Sequence, residues 1–467
     1  MRIGVDFGTT HTSAAYVQGG QVHFIPLDAA NDDPTLLRSM VYINRNHEVL
    51  LGREAVETYL REDTGRIVRY EDKVVGTLEN TVAQVSREPG EADGPITIIY
   101  DVVVAEDIST NGRLIQSIKT ALRDVGYDGT TIYGRFYPLP ELIALLLRHV
   151  RQQAEAHLGQ SVTAVTLGRP VVFTADPTED ARAEARLRHA AELAGFTDIC
   201  FEREPIAAAL FYTHTLAQPE TIFVFDFGGG TLDMTLMEVD AARPPRILAT
   251  QGVLVGGDDL DSAFMMGKVA PDLGIHAAID GDGSPFPHQM ANLLRHWQTI
   301  PQLSRPQYLP IIRRAKQFGD APEGFAALET VVTQNYGFQL FEGVERCKRL
   351  LSLYEATTME IVGDGAWGMS LPATRREFQR AIVQEVAAVQ KGLTAVLAGA
   401  EVAPNRVETV VTTGGSSLIP IFQTVLRNRF PEARLVHSDT FGSVTAGLAI
   451  AAGAMASSLH ESQSSQT

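Results

Sequence analysis

At about 150 residues per domain, the 467 residues suffice for roughly three domains or two large ones. With 45% hydrophobic and 20% charged residues, the chain has the composition of a globular protein able to bury sizeable cores. Its 56 acidic side chains against 39 basic ones give a formal charge of −17. That excess argues against a nucleic-acid or anionic-membrane surface, which needs clustered Lys and Arg.

Two cysteines without a CxxC exclude a disulfide framework and point to a reducing, cytoplasmic setting. Asp6 stands where a secretion signal needs apolar residues, and the longest apolar run, 444–456, is too short to span a bilayer. In chain order, IGVDFGTTHTSAAYV (3–17) reads as a strand, a turn at Gly8 and a second strand, with QVHFIPL (21–27) continuing a meander. Residues 31–125 are mixed and charged, with GRLIQSIKTALRD (112–124) the best helix. PELIALLLRHVRQQAEAHLG (140–159) is a long amphipathic helix with Pro140 early and Gly159 at its end. VTAVTLGRPVVF (162–173) reads as strand, and RAEARLRHAAELAGF (182–196) and EPIAAALFYTHTL (204–216) as helices.

IFVFDF (222–227) and MTLMEV (234–239) have strand composition around a glycine cluster. VDFGTT (5–10) and FDFGGGT (225–231) repeat strand, Asp, aromatic, Gly and Thr, which suggests two related domains of similar size. Residues 270–340 combine a loop, AIDGDGSPFPHQ (278–289), with helical sequence broken by prolines. EGVERCKRLLSLYEA (342–356) is a helix, and VETVVTTGGSSLIPIFQTVLRNRF (407–430) is strand, glycine turn and helix. The polar residues 457–467 are expected to be a disordered tail.

The glycine clusters carry the chemistry. A phosphate chain needs backbone N–H groups turned toward it with no Cβ in the way, which glycine permits. Thr9, Thr10 and Thr231 add hydroxyl donors. Asp6 and Asp226 end strands just before each turn, and two carboxylates facing across a cleft suit hydrated magnesium. Either turn alone is an ordinary tight hairpin; the matched pair points to a triphosphate gripped from both sides. TTGGSS (412–417) lets a ligand lie against the backbone. Glu345, Lys348, Arg349 and Ser352 share one helix face, suited to a nucleoside or to solvent. There is no GxxxxGK[ST], GxSxG, HExxH or CxxC pair, so P-loop, hydrolase and zinc readings lack support.

These segments, in order, resemble the nucleotide-binding domain of the heat-shock protein 70 (DnaK-type) family within the actin-like ATPases. The match runs through IGVDFGTT, EREPIAAAL, FVFDFGGGTLDMTL, GVLVGGDDLD, VERCKRLLS and VVTTGGSSLIP, from residue 3 to about 452. The resemblance implies an α/β, ribonuclease H-like fold of two duplicated lobes, 1–218 and 219–456, with helix 443–456 returning to the first lobe. It implies ATP or ADP with magnesium in the cleft and slow hydrolysis that switches cleft closure. A partner or client protein would sense that closure, with no role for nucleic acid or membrane. Gly8, Thr9 and Thr10 would form one phosphate loop, and Gly228, Gly229, Gly230 and Thr231 the other. Asp6, Asp226 and Asp233 would surround the metal, with Asp226, Glu204 and Asp6 catalytic. Gly256 and Gly257 would lie near the nucleotide. Glu345, Lys348, Arg349 and Ser352 would hold the nucleoside above Gly414, Gly415 and Ser416. Arg169 and Pro170 match a strand end that couples nucleotide state to domain motion.

Departures accompany the likeness. In the family pattern a catalytic lysine is expected after G-x-x-A; LGREAV (51–56) has Val56 there, leaving Lys73 or Lys119 as candidates. His11 follows the paired threonines, and Leu418 stands where an arginine stacks on adenine. Residues 270–340 are longer and richer in proline than the family's lobe. The chain resembles the short, YegD-type members that are the nucleotide-binding domain alone. Two alternatives follow: a nucleotide-binding regulatory module with negligible turnover, motivated by Val56 and Leu418, and an actin-like filament protein.

Overall fold

A computed structural model describes residues 1–84, 94–124, 126–213, 216, 218–241, 243–363, 367–438 and 442–464, with the side chains of 72–105 and 455–464 outside that description. The opening run RIGVDF forms strand Arg2–Phe7, and Ile3, Val5 and Phe7 are fully buried. It runs parallel to Ala164–Arg169 on one side and antiparallel to His11–Gln18 on the other. The complete sheet reads Asp198–Arg203, Ala164–Arg169, Arg2–Phe7, His11–Gln18, Gln21–Phe24, with Leu36–Arg38 also pairing with His11–Gln18.

The second half repeats that plan. Glu220–Phe227 lies between Leu232–Asp240, antiparallel, and Thr409–Thr413, parallel; Arg243–Val253 and Arg434–His437 complete five strands. In both sheets a three-strand antiparallel meander joins two parallel strands, and the central strand is buried on both faces. This is the duplicated actin-like α/β architecture. Each sheet carries its own core: Phe223, Phe225 and Phe227 in one, Ile3, Val5 and Phe7 in the other.

The helix Ser443–Ser464 packs on the first lobe, against Arg2–Phe7 and the helix Glu204–Thr213. Small residues allow this approach: a Cβ on Gly4 would overlap the backbone of Leu448 and Ala449, and one on Gly447 would overlap the Ala207 carbonyl. Residues 457–464, expected as a disordered tail, continue this helix, because no glycine or proline after Gly453 ends it. Residues 465–467 lie outside the described residues.

The sequence 112–124, read as one helix, instead splits into strand Gly112–Ile115 and 3₁₀ helix Ile118–Arg123. Strand pairing with Val41–Asn44 claims its first part, and Ser117 at φ 57° turns the chain between them. Residues 270–340 fold into short helices, of which Leu309–Phe318 and Pro322–Thr333 are the longest, each with proline in its first turn. Among the described residues no single helix is long and apolar enough to cross a membrane.

Gly447→Ala tests the helix contact. Alanine is the better helix former by about 1 kcal/mol, yet the overlap with Ala207 should dominate. A net loss of about 1–3 kcal/mol is expected, read as a lower melting temperature. An unchanged or raised value would contradict the packing.

Candidate functional site

The two glycine turns face each other across the cleft. In the second, Gly228 N–H donates to the Thr231 carbonyl (3.0 Å) and closes the turn. A Cβ on Gly229 would come within 2.5 Å of Thr10 Cγ2, and one on Gly230 within 2.8 Å of Thr9 Oγ1. A side chain at either glycine would therefore displace Thr9 or Thr10 of the facing turn.

Below the turns lies a buried cluster of acids. Antiparallel register sets Asp226 directly opposite Asp233, which places like charges side by side. Asp6 stands one residue before the end of the equivalent strand of the other lobe, and Glu204 enters from the start of its helix. Burial, then repulsion from Glu204, pushes Asp6 and Asp233 up to about 7. The same causes hold Asp226 well above the usual carboxylate range. Asp233 Oδ1 is buried without a hydrogen-bond partner. Lys119 supplies the compensating charge, its Nζ donating to Glu204 Oε1 at 2.6 Å. Burial alone would lower the Lys119 ammonium, but Glu204 and Asp6 raise it above its ordinary value.

The far wall comes from the second lobe. Gly257 and Asp258 N–H groups donate to the carbonyls of Gly228 (3.0 Å) and Gly229 (2.9 Å). A Cβ on Gly256 would overlap the backbone of Gly229 and Gly230. Gly414, at φ 78°, lets the 412–417 turn close on Phe227. Ser416 Oγ donates to the Gly228 carbonyl (3.2 Å). On the helix Gly337–Leu353, Lys348 Nζ is tied to Asp261 Oδ2 (2.7 Å) and the Gly257 carbonyl (3.2 Å). Ser352 Oγ donates to the Lys348 carbonyl (3.1 Å). Although burial opposes it, Lys348 and Arg38 hold the Glu345 carboxyl below its ordinary range.

A cavity of about 730 Å³ joins these groups, the size of a small-molecule site. Both glycine turns, all four acids, Lys119, Gly257, Gly414, Gly415, Ser416, Glu345, Lys348, Arg349 and Ser352 line it; Gly256 stands behind Gly257. Leu418 borders the cavity and is 44% exposed, so an apolar surface occupies the position where the family pattern has arginine. His11 also lines it; burial and the adjacent Arg38 push its imidazole down to about 4.

Of the two candidate lysines, the described side chains include Lys119 alone. Val56 is buried in an apolar cluster with Tyr59, Trp297 and Phe338, so that position does not supply the cation. Lys119 does lie among the acids, and Lys73 falls outside the described side chains. Arg169 points away from the cleft, ion-paired to Asp180 (2.7 Å) and Glu184, with Pro170 buried after it. Sequence reasoning missed Arg38 and Glu342, paired at 2.8 Å across the cleft, and Ser117, which donates to Asp258 Oδ2 at 2.7 Å. Asp258 and Asp261 stood in the quoted VGGDDLD, a signal read only for its glycines. Arg38 and Glu342 carry no local signal.

Comparison with known proteins agrees with this arrangement. The family profile described as Hsp70 protein matches residues 2–285 and 332–463. The chain belongs to the Hsp70 family. A relative, the chaperone protein DnaK of Psychrobacter cryohalolentis, is 29% identical over 268 residues, which is 56% of this chain and 36% of the relative. The Hsp70 chain thus spans about a third of the length of this curated relative. The profile skips 286–331, within the stretch that the sequence marks as longer than the family's lobe.

The acid cluster sets a pH dependence. Asp6 and Asp233 bind protons more tightly folded than unfolded, so their stabilising contribution is present at low pH and lost as pH rises through about 7. The ligand-free protein is therefore expected to melt higher near pH 6 than near pH 8. Asp226→Asn, which removes one of the repelling charges, should raise the melting temperature at the higher pH by a few degrees, about 1–2 kcal/mol. A fall on that substitution would contradict the account of the cluster.

Proposed function

We propose that the chain binds magnesium-ATP between lobes 1–218 and 219–456, hydrolyses it slowly, and signals the nucleotide state through cleft closure. The observation that carries this reading is the apposition of two glycine turns above a four-carboxylate cluster with one lysine. The N–H groups of Gly8, Gly229 and Gly230 would take the phosphates, with Gly228 closing the turn and Thr9, Thr10 and Thr231 donating hydroxyl hydrogen bonds. Glu345 would accept from the ribose hydroxyls, and Arg349 and Leu418 would flank the base, with Gly414 and Gly415 beneath it.

Magnesium suits the donor set. Among the described residues no three acidic, His or Cys side chains form a group that could hold a metal directly. Magnesium characteristically keeps several waters and takes one or two carboxylates, so Asp6, Asp226 and Asp233 would hold it through water. The orphaned Asp233 Oδ1 and the raised carboxyl pKa values support a cation there. Once bound, the ion would neutralise phosphate charge.

Asp226 would orient the attacking water and take its proton as the new bond to the terminal phosphorus forms. Lys119 would stabilise the charge that builds on the transferring group as the bond to the bridging oxygen breaks. Glu204 would hold Lys119 in position. The family and the DnaK relative support a chaperone-like role, in which a partner or client protein reads the closure.

A phosphate-release assay tests this. The wild type should show slow, magnesium-dependent turnover, and Lys119→Met should reduce it by about a hundredfold while nucleotide still binds. No turnover by the wild type would favour a binding module, and full activity in Lys119→Met would remove the lysine from the mechanism.

A further inference from the structure

Strands Tyr70–Gln84 and Gly94–Asp107 pair with each other along their whole length, from Tyr70 opposite Asp107 to Gln84 opposite Gly94. They join no other sheet, and among the described residues no further element packs along them. The hairpin is fixed to the body at its base. Arg66 Nη2 donates to Asp107 Oδ2 at 2.7 Å, the Ile108 N–H donates to the Arg69 carbonyl at 2.9 Å, and the Arg305 guanidinium lies 5.2 Å from the Tyr70 ring centroid. At about 3.4 Å per residue, the 14-residue second strand reaches about 45 Å. A lone two-stranded hairpin is marginal in water; three or more strands with an apolar face are needed to hold a sheet by itself.

The two outer edges of the hairpin differ. Strand Tyr70–Gln84 carries the features that block further pairing: Lys73, Glu79 and a register shift between Val74 and Gly76. The other edge has no such protection between Ile96 and Ala105. That run, ITIIYDVVVA, has one charge, no glycine and no proline, and consists mostly of strong strand formers. It is also self-complementary. Turned about a two-fold axis through Ile99, it meets itself antiparallel with Ile98 opposite Tyr100, Thr97 opposite Asp101 and Ile96 opposite Val102. No two charges oppose each other in that register. Strand alternation keeps positions 96, 98, 100 and 102 of both copies on one face, together with Leu78 and Val82, which stand opposite Tyr100 and Ile96 in the hairpin.

We propose that a second copy of this chain pairs along Gly94–Asp107, giving a four-stranded antiparallel sheet across a two-fold axis. Both outer edges of the joined sheet are then Tyr70–Gln84, whose lysine and register shift stop further growth, so assembly closes at the dimer. The bodies sit at opposite ends of the sheet, with Asp107 of the two copies about 50 Å apart along the strands. That is several times the Debye length of about 8 Å at physiological salt, so the −17 charge on each chain does not prevent association. The pairing is independent of the nucleotide reading.

Sedimentation equilibrium of the full chain should show a mass that rises with concentration from one chain to two and no higher. Ile98→Lys enters a two-fold interface twice and should raise the dissociation constant about a hundredfold, with the melting temperature unchanged. Thr81→Lys, on the protected strand, should leave the dimer intact. Cross-linking checks the register. In a Cys200→Ser background, Ile99→Cys places two thiols at the axis, where paired Cα atoms stand about 4.5–5.5 Å apart, within disulfide reach. Mild oxidation should convert that variant to a covalent dimer and leave Val103→Cys, which lies well along the strand from its own mate, as single chains. Stacking of the two apolar faces would instead turn position 99 outward and leave it unlinked. A wild type that stays a single chain at high micromolar concentration, or grows beyond two, or an Ile99→Cys variant that does not cross-link, would overturn the proposal.

Discussion

Four carboxylates with one ammonium among them, buried where two strand ends meet, are the constraint on which the site depends. The charges of Asp6, Glu204, Asp226 and Asp233 are not balanced by Lys119 alone, and burial makes the surplus expensive. Perturbed buried carboxylates of this kind, and the stability they sacrifice, are the usual signature of a functional centre. The glycine turns supply the complementary half: donors for an anion immediately beside acceptors for a cation. A magnesium-bound polyphosphate satisfies both at once.

The duplicated architecture makes that arrangement possible. Each sheet carries an aspartate one residue before the end of its central strand and turns back through glycine. Both aspartates therefore line the same cavity. The closing helix Ser443–Ser464 keeps the halves in register, touching strand Arg2–Phe7 through contacts that tolerate no extra methyl at Gly4 or Gly447. At the far end, Tyr59, Trp297 and Phe338 hold the lobes together through side chains.

The central hairpins were legible in the sequence because their signal is local: apolar run, Asp, Gly, Thr, apolar run. The long helix Leu139–Leu158 was equally plain, with proline near its start and Gly159 at its end in the left-handed conformation that glycine favours. The segment 112–124 was not. Its first half pairs with a strand some seventy residues earlier, and tertiary pairing overrides a helical pattern of that length. Lys119 gained its meaning from Glu204, 85 residues away, and the Arg38–Glu342 pair spans 304 residues. Contacts of that range leave no periodicity to read. The likeness to a family singled out the two glycine turns, which the fold sets against each other, and put the missing lysine at Val56. There the local sequence matched, while the side chain turned into an apolar seam.

Calorimetric titration of the purified chain with ATP, with and without magnesium and in two buffers of different ionisation enthalpy, tests the clasped triphosphate most directly. The expected result is a single saturable site that needs magnesium and releases protons near neutral pH, as Asp6 and Asp233 ionise on binding. Absence of saturable heat at millimolar nucleotide, or binding indifferent to magnesium, would contradict it.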